Sequence, residues 1–369
     1  MRLLVVSHPC VTPVNQDFFG RVRGQTGWEM KIIAPSAWQN EYGKERLQRS
    51  PGYDGELHGL PVLLPGNIPL HLYARGLRRA LRHWRPDAIY AHHEPYGFAT
   101  WQVAAAAAGI PLAFYSAQNL VKRYPLPIAA AERWLYRRAA LALPVSEAVA
   151  HVLRAKGYRG RIDVLPLAVD IAPGCDVPPP PVHPGRLTLG YVGRLSTEKG
   201  IVTLLDALAE LRDLDVRCVI AGDGSARADL ERHAEGAGVA DRVQWLGYVP
   251  HHDIASVYAA CDVITVPSLT VPNWTEQFGR VVIESLSYGR PVLTSDSGEL
   301  PNLVADTQGG WTFREGDHAD LARQVRVFAP EPTRVRVAGA DGRRIVEARY
   351  SLDAVSQRFV TAIDSLVHP

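Results

Sequence analysis

Cysteine is scarce in this chain: Cys10, Cys175, Cys218 and Cys261 are widely spaced, with no C-x-x-C pair. That spacing argues against a disulfide framework or a structural zinc knot and predicts a protein of the reducing cytoplasm. Long apolar runs are missing too. The opening MRLLVVSHPC holds a short apolar stretch with no small-residue cleavage site, so it predicts a strand and not a signal peptide. The run Val103 to Ala113 is broken by Gly109 and Pro111 and is too short to span a bilayer. A dinucleotide fingerprint is also absent, because Gly222-Asp223-Gly224 has no third glycine, and a dehydrogenase is therefore poorly supported. The one D-x-D string, Asp213-Leu214-Asp215, falls at a helix-to-strand turn, and His251-His252 has no carboxylate or cysteine at ligand spacing. No metal site is predicted, and no nucleic-acid partner.

What the chain does have is length and an ordinary globular composition: 369 residues, 47% hydrophobic and 21% charged. That exceeds one usual core, so two domains are expected. The net charge of +2 hides an asymmetry, since residues 1–175 carry 21 Lys+Arg against 12 Asp+Glu and the remainder 19 against 26. A basic front half predicts contact with something anionic, a membrane surface or a phosphorylated acceptor. Its positive charge gathers at Arg75, Arg78, Arg79, Arg82 and Arg85, interleaved at helical spacing with Leu77, Leu81 and Trp84. A peripheral membrane contact and a plain solvated face both fit that helix.

The pattern alternates between strands and helices. Leu3 to Ser7 reads as a buried strand, followed by a loop from His8-Pro9 to Phe19. Glu29 to Ala34 is the second strand; from Tyr42 to His71 only Val62-Leu63-Leu64 reads as a strand. Ala88 to Ala91 is a strand ending at His92-His93, and neighbouring residues on a strand face opposite ways, so at most one of the two histidines points into a crevice. Helices are predicted at Val103 to Ala108, Glu132 to Ala140 and from Ser146-Glu147 to about Gly157, with strands at Pro111 to Tyr115, Leu141 to Val145 and Ile162 to Leu165. Pro173, Pro178 to Pro181 and Pro184 cannot donate ladder hydrogen bonds, and they predict an extended linker over 173–186 between domains 1–172 and 187–350, with a last helix within 351–369.

Two stretches of the second half carry chemistry. Leu187 to Val192 is a strand that runs into Gly193-Arg194-Leu195 and Glu198-Lys199-Gly200 before a helix. Gly193 lets backbone approach a ligand, while Arg194 and Lys199 offer a forked donor and a point charge that suit a diphosphate. Further on, Val263 to Val266 is a strand, and Val281, Val282, Ile283, Leu286 and Tyr288 have helical spacing up to Gly289-Arg290-Pro291. A helix starting after Gly279 leaves unpaired N–H groups and a positive dipole end at the loop. Glu276 in that loop and Glu284 on the helix can accept hydrogen bonds from the hydroxyls of a sugar and a ribose.

From Glu276 through Phe278-Gly279 to Glu284 the chain resembles the E-x7-E motif of the retaining glycosyltransferases of family 4, and the likeness is strongest from about Leu187 to Gly316. The resemblance implies an α/β GT-B fold: two Rossmann-like, doubly wound domains facing across a cleft, with the C-terminal helix crossing back to the first. It implies retaining transfer from a UDP- or GDP-linked sugar to a glycan, lipid-linked or small-molecule acceptor, in polysaccharide or glycoconjugate synthesis. Donor contacts would come from Gly193, Arg194, Lys199, Gly222, Tyr248, Val249, Glu276, Phe278, Gly279 and Glu284. Arg194 and Lys199 would neutralise the leaving diphosphate, so that no cofactor and no metal is required. His93 matches a histidine that touches donor sugar or acceptor, and His8, Asn15 and Asn119 are acceptor-side candidates. The loop after the first strand departs from the family, with HPCVTPVNQDFFG where a Gly-Gly pair is common. A nucleotide-sugar epimerase of the same fold and a catalytically silent nucleotide-sugar-binding protein are the alternatives.

Overall fold

The structure, a computed structural model, describes residues 1–40, 43–107, 109–171 and 186–368. The stretch 173–186 read as a linker lies outside them, save Arg186, which opens a strand. Packing divides the chain into two units, Met1–Ala168 with Leu352–Pro369, and Val169–Ser351.

In the first unit the strands are β1 (Arg2–Ser7), β2 (Glu29–Pro35), β3 (Ala37–Asn40), β4 (Gly43–Arg46), β5 (Glu56–Leu60), β6 (Val62–Leu63), β7 (Leu72–Tyr73), β8 (Ala88–His92), β9 (Leu112–Ser116), β10 (Leu141–Pro144) and β11 (Arg161–Ile162). Among the described residues seven of them form one parallel sheet in the order β11-β10-β9-β8-β1-β2-β5. A parallel sheet is covered on both faces, which is why β1, β8 and β9 are nearly continuous apolar runs. The chain builds outward from β1 in one direction and from β8 in the other, so the order reverses between these two neighbours. In an open α/β sheet the carboxyl ends beside such a reversal form the ligand crevice.

The loop expected from His8 to Phe19 is mostly helix: a 3-10 turn at Pro9–Val11 leads into α1 (Val14–Thr26). Asn15, Gln16 and Asp17 look like loop residues, but Phe19 and Val22 are fully buried, and tertiary packing outweighs the weak propensity. Between 43 and 73 the structure has β4, β5, β6 and β7 where the pattern showed only one strand. Strand β5, ELHGL, sits at the sheet edge, where one side faces solvent and an apolar run is not required. Helix α2 (Leu77–Trp84) turns Leu77, Leu81 and Trp84 into the core and exposes Arg78, Arg79 and Arg82. Its apolar side is already occupied, leaving only charge for an anionic surface. Helices α3 (Phe98–Ala106), α4 (Leu126–Arg138) and α5 (Glu147–Ala155) complete the crossovers. The terminal helix Leu352–Val367 belongs to this unit, with Phe359 edge-on to Phe18, Phe19 and Tyr90.

The second unit contains β12 (Arg186–Val192), α6 (Ile201–Glu210), β13 (Asp215–Ala221), α7 (Arg227–Gly236), β14 (Val243–Gly247), α8 (Ile254–Ala260), β15 (Val263–Val266), α9 (Arg280–Ser287), β16 (Val292–Ser295), α10 (Leu300–Thr307), β17 (Gly310–Phe313), α11 (His318–Phe328) and α12 (Pro332–Arg349). Its parallel sheet runs β14-β13-β12-β15-β16-β17, reversing between β12 and β15. Helix α12 has no apolar periodicity to announce it. It docks through glycines: a Cβ on Gly339 would lie 2.1 Å from the Gly289 carbonyl, and one on Gly342 would strike Leu286 at 2.5 Å. Asp213, of the D-x-D string, pairs with Arg326 at the surface.

Among the described residues no helix is long and apolar enough to cross a membrane. Cys10, Cys218 and Cys261 are free and buried, and burial pushes the Cys10 and Cys261 thiols up to about 12. A thiol-specific reagent at pH 8 is therefore expected to modify at most one of the four cysteines of the native chain and all four in denaturant. Rapid reaction of two or more native thiols would contradict this packing.

Candidate functional site

In the second unit the carboxyl ends of β12 and β15 lie side by side at the strand-order reversal. The chain leaves β12 through Gly193–Ser196, makes a 3-10 turn at Thr197–Lys199, and enters α6 through Gly200. From β15 it runs through Pro267 to Gly279, which opens α9 with a φ of 87°. These two connections bring Lys199 and Glu276 together. Lys199 Nζ donates to Glu276 Oε2 at 2.7 Å, the Ser268 hydroxyl donates to the same oxygen at 3.0 Å, and the ammonium lies 4.5 Å from the centroid of the Trp274 ring. Both side chains are mostly shielded, 22% and 13% exposed. A pair in that setting is geometrically fixed, and removing either partner takes the opposite charge away from the other.

Backbone contacts hold the pair in place. Gly200 has a φ of +67°, and a Cβ there would lie 1.9 Å from the Pro267 carbonyl oxygen. Gly298 has a φ of +57°, and a Cβ there would lie 2.1 Å from the Glu276 carbonyl, which accepts from Glu299 N–H at 3.1 Å. The hydroxyls of Thr270, Thr275 and Ser297 interlock at 3.0 to 3.3 Å and tie the Glu276 loop to the turn before α10.

The other residues that the sequence singled out in this unit lie on connections at the same end of the sheet or on α9. Gly193, Arg194, Gly222, Tyr248 and Val249 follow the carboxyl ends of β12, β13 and β14. Their loops are laced together: Leu195 N–H donates to the Asp223 carbonyl and Gly222 N–H to the Gly247 carbonyl, and a Cβ on Gly222 would fall 1.8 Å from the Gly193 oxygen. Arg194 and Tyr248 are exposed. Phe278 is buried against Tyr350, so its ring anchors the loop and only its backbone can face a ligand. The Glu284 carboxylate accepts from Arg280 Nε at 2.8 Å and from the Tyr258 hydroxyl at 3.3 Å.

In the first unit the reversal between β1 and β8 sets Ser7 beside His92, and the next residues along, His8 and His93, meet with Nδ1 atoms 2.9 Å apart and rings stacked. His92 points the other way, its Nδ1 on the Ser7 hydroxyl at 3.1 Å. His71 and Trp38, which the sequence reading did not single out, pack on the same group, with ring centroids 5.2 and 5.0 Å from that of His8. Burial, reinforced by the neighbouring imidazoles, pushes the His8 and His93 pKa values well down, and burial lowers that of His71. These rings are neutral at neutral pH. Glu94 turns away to Ser116 Oγ and Ala117 N–H, and burial pushes its carboxyl up to about 7. Asn15 spends its side-chain amide on the Pro9 carbonyl, and Asn119 lies half-buried after β9. No local pattern links His8, His71 and His93; the one signal in the sequence is that His8 and His93 each follow an apolar strand.

Comparison with known proteins bears on this arrangement. The family described as Glycosyl transferases group 1 matches residues 179–343, and Glycosyltransferase Family 4 matches residues 24–172. The chain is similar to a 2-deoxystreptamine glucosyltransferase of Streptomyces kanamyceticus, 32% identical over 280 residues, covering 69% of this chain and 71% of that one. It is 30% identical over 332 residues to a D-inositol 3-phosphate glycosyltransferase of Stackebrandtia nassauensis, covering 78% and 73%. Among solved structures, Anabaena HepE in complex with UDP superposes with a TM-score of 0.74 at 19% identity, covering 99% of this chain and 100% of that one, which shows the fold alone.

Proposed function

This chain belongs to the glycosyltransferases of family 4 and has the GT-B fold, and from that premise we propose that it moves a sugar, with retention at the anomeric carbon, from a nucleoside diphosphate to an acceptor hydroxyl. The observation that carries the reading is the Lys199–Glu276–Ser268 group at the strand-order reversal, beside the N-terminus of α9. In this reading the donor displaces Lys199 from Glu276. The ammonium and the Arg194 guanidinium take the diphosphate, and the Glu276 carboxylate accepts from sugar hydroxyls. Glu284 accepts from the ribose, and the backbone near Tyr248 and Val249 meets the base. The bond from the anomeric carbon to the phosphate oxygen breaks as the bond to the acceptor oxygen forms on the same face. The departing phosphate oxygen takes the acceptor proton, and the two cations stabilise the charge that develops on it. No side-chain base, cofactor or metal is needed for that step, and His93 orients substrate.

A UDP-linked donor is supported by the UDP in the HepE complex, and a small cyclic polyol acceptor by the names of the two relatives, 2-deoxystreptamine and D-inositol 3-phosphate. Thermal unfolding with UDP, GDP or ADP tests the donor site. A nucleotide at 100 times its Kd adds about 2.7 kcal/mol, and Lys199→Ala should remove that gain. Proton NMR of the product then reads the anomeric configuration against that of the donor. An inverted product would sink the retaining mechanism. Isomerised donor with no acceptor consumed would favour an epimerase, and nucleotide binding without turnover a silent binding protein.

A further inference from the structure

The imidazoles at the reversal of the first sheet hold a feature that sugar transfer does not use. His71 Nδ1 lies 2.8 Å from the Ile68 carbonyl and 3.2 Å from that of Asn67. Carbonyls only accept, so His71 carries its proton on Nδ1 and presents Nε2 as a bare lone pair. That Nε2 is buried without a hydrogen-bond partner, and so is His93 Nε2, on side chains that are 1% and 2% exposed. A buried polar atom left unpaired is costly, and two in one cluster call for an occupant.

One potential ligand atom from each of His8, His71 and His93 lies within 4.8 Å of the others. Nitrogens bound tetrahedrally to one metal at 2.0–2.1 Å stand about 3.3 Å apart, within reach of modest ring rotations. The Ile68 carbonyl on His71 Nδ1–H is the outer contact that fixes tautomer and ring orientation in metal-bound histidines. No carboxylate or thiolate belongs to the group: Glu94 is turned to Ser116 and Ala117, and Cys10 Sγ faces the Asn15 carbonyl. An all-imidazole set suits late first-row divalent ions over Mg²⁺ or Ca²⁺. His8, half-buried, leaves the open side through which an ion and a fourth ligand enter.

We propose that His8, His71 and His93 form a three-histidine site for a late first-row divalent cation such as Zn²⁺, and that its occupancy withdraws His93 from substrate. The ion takes no part in the leaving-group chemistry proposed for the second unit; it is an inhibitor whose removal restores transfer.

The test uses the full chain without a polyhistidine tag, stripped by chelator and titrated with Co²⁺ while the visible absorption of the bound ion is followed. One equivalent should bind with the intense bands of a four-coordinate site and be displaced by Zn²⁺, while Mg²⁺ has no effect. His71→Ala should weaken binding at least about tenfold, and a double His251→Ala, His252→Ala variant, which removes the exposed pair, should leave it unchanged. His8→Asn carries the same test if His71→Ala fails to fold. The absence of a stoichiometric Co²⁺ spectrum would overturn the proposal, and so would binding that is lost with the 251/252 pair and kept in His71→Ala. Zn²⁺ binding tightly to the cluster without slowing transfer would overturn the inhibitory role.

Discussion

Lys199→Ala is expected to abolish detectable sugar transfer, a fall in kcat of at least about 10²–10³-fold, the cost of removing one preorganised charge from a developing anion. On the proposed mechanism the loss should fall on kcat as well as on donor affinity, because the departing diphosphate gains negative charge that the bound donor does not carry. The folded state changes less. The substitution takes the ammonium away from the Glu276 carboxylate, 13% exposed, while the Ser268 hydroxyl still donates to it. Losing a charged donor from a shielded carboxylate costs roughly 1–3 kcal/mol, a price that a domain of this size survives. Glu276→Ala should also abolish transfer. Combining it with Lys199→Ala should recover part of the stability lost in either single variant, since neither shielded charge is left without its opposite. Turnover with circular dichroism and melting on the same samples checks all three proteins. Full activity in either single variant would sink the assignment of these residues.

Gly200→Ala has the largest expected effect on folding. At a φ of +67° an L side chain costs roughly 1–2 kcal/mol by itself. The added carbon would also lie 1.9 Å from the Pro267 carbonyl oxygen, and that neighbour is backbone and cannot rotate aside. The overlap adds roughly 1–3 kcal/mol. A total near 3 kcal/mol corresponds to a drop in Tm of roughly 6–12 °C for a unit of this size. Relief would come by shifting the segment Pro267–Leu269, which carries Ser268, away from the turn that carries Lys199. Transfer should therefore fall even at temperatures where the variant is folded. Gly236→Ala is the control: it closes α7 with nothing within 4 Å of the added carbon, and it should be neutral or stabilising by up to about 1 kcal/mol. Equal melting temperatures for the two variants would mean that the close approach of Gly200 to Pro267 is not rigid.

The elements legible in the sequence were those whose signals are local. Strands β1, β8, β12 and β15 are short β-branched or apolar runs because a parallel sheet buries both faces, and the terminal helix Leu352–Val367 announces itself by apolar residues on one side. The elements missed are stabilised by something other than an apolar stripe. Helix α1 begins with Asn15, Gln16 and Asp17, α12 docks through Gly339 and Gly342, and β5 lies at a sheet edge. In the candidate site, Arg194, Lys199, Glu276 and Glu284 were singled out from their places relative to strand ends and a helix start, since those relations span only a few residues.

What the sequence determined by itself was therefore the inventory: two runs of alternating strands and helices, the loops that follow particular strands, and the charged side chains in those loops. Which loops become neighbours was decided only by the tertiary structure. Lys199 and Glu276 are 77 residues apart, and His8 and His93 are 85 apart, yet each pair is in hydrogen-bond contact. In both units the contact arises where the strand order reverses, between β12 and β15 and between β1 and β8. Strand order is set by how crossover helices pack on the two faces of a sheet, a sum of contacts spread over the whole unit, and no short stretch of sequence contains it.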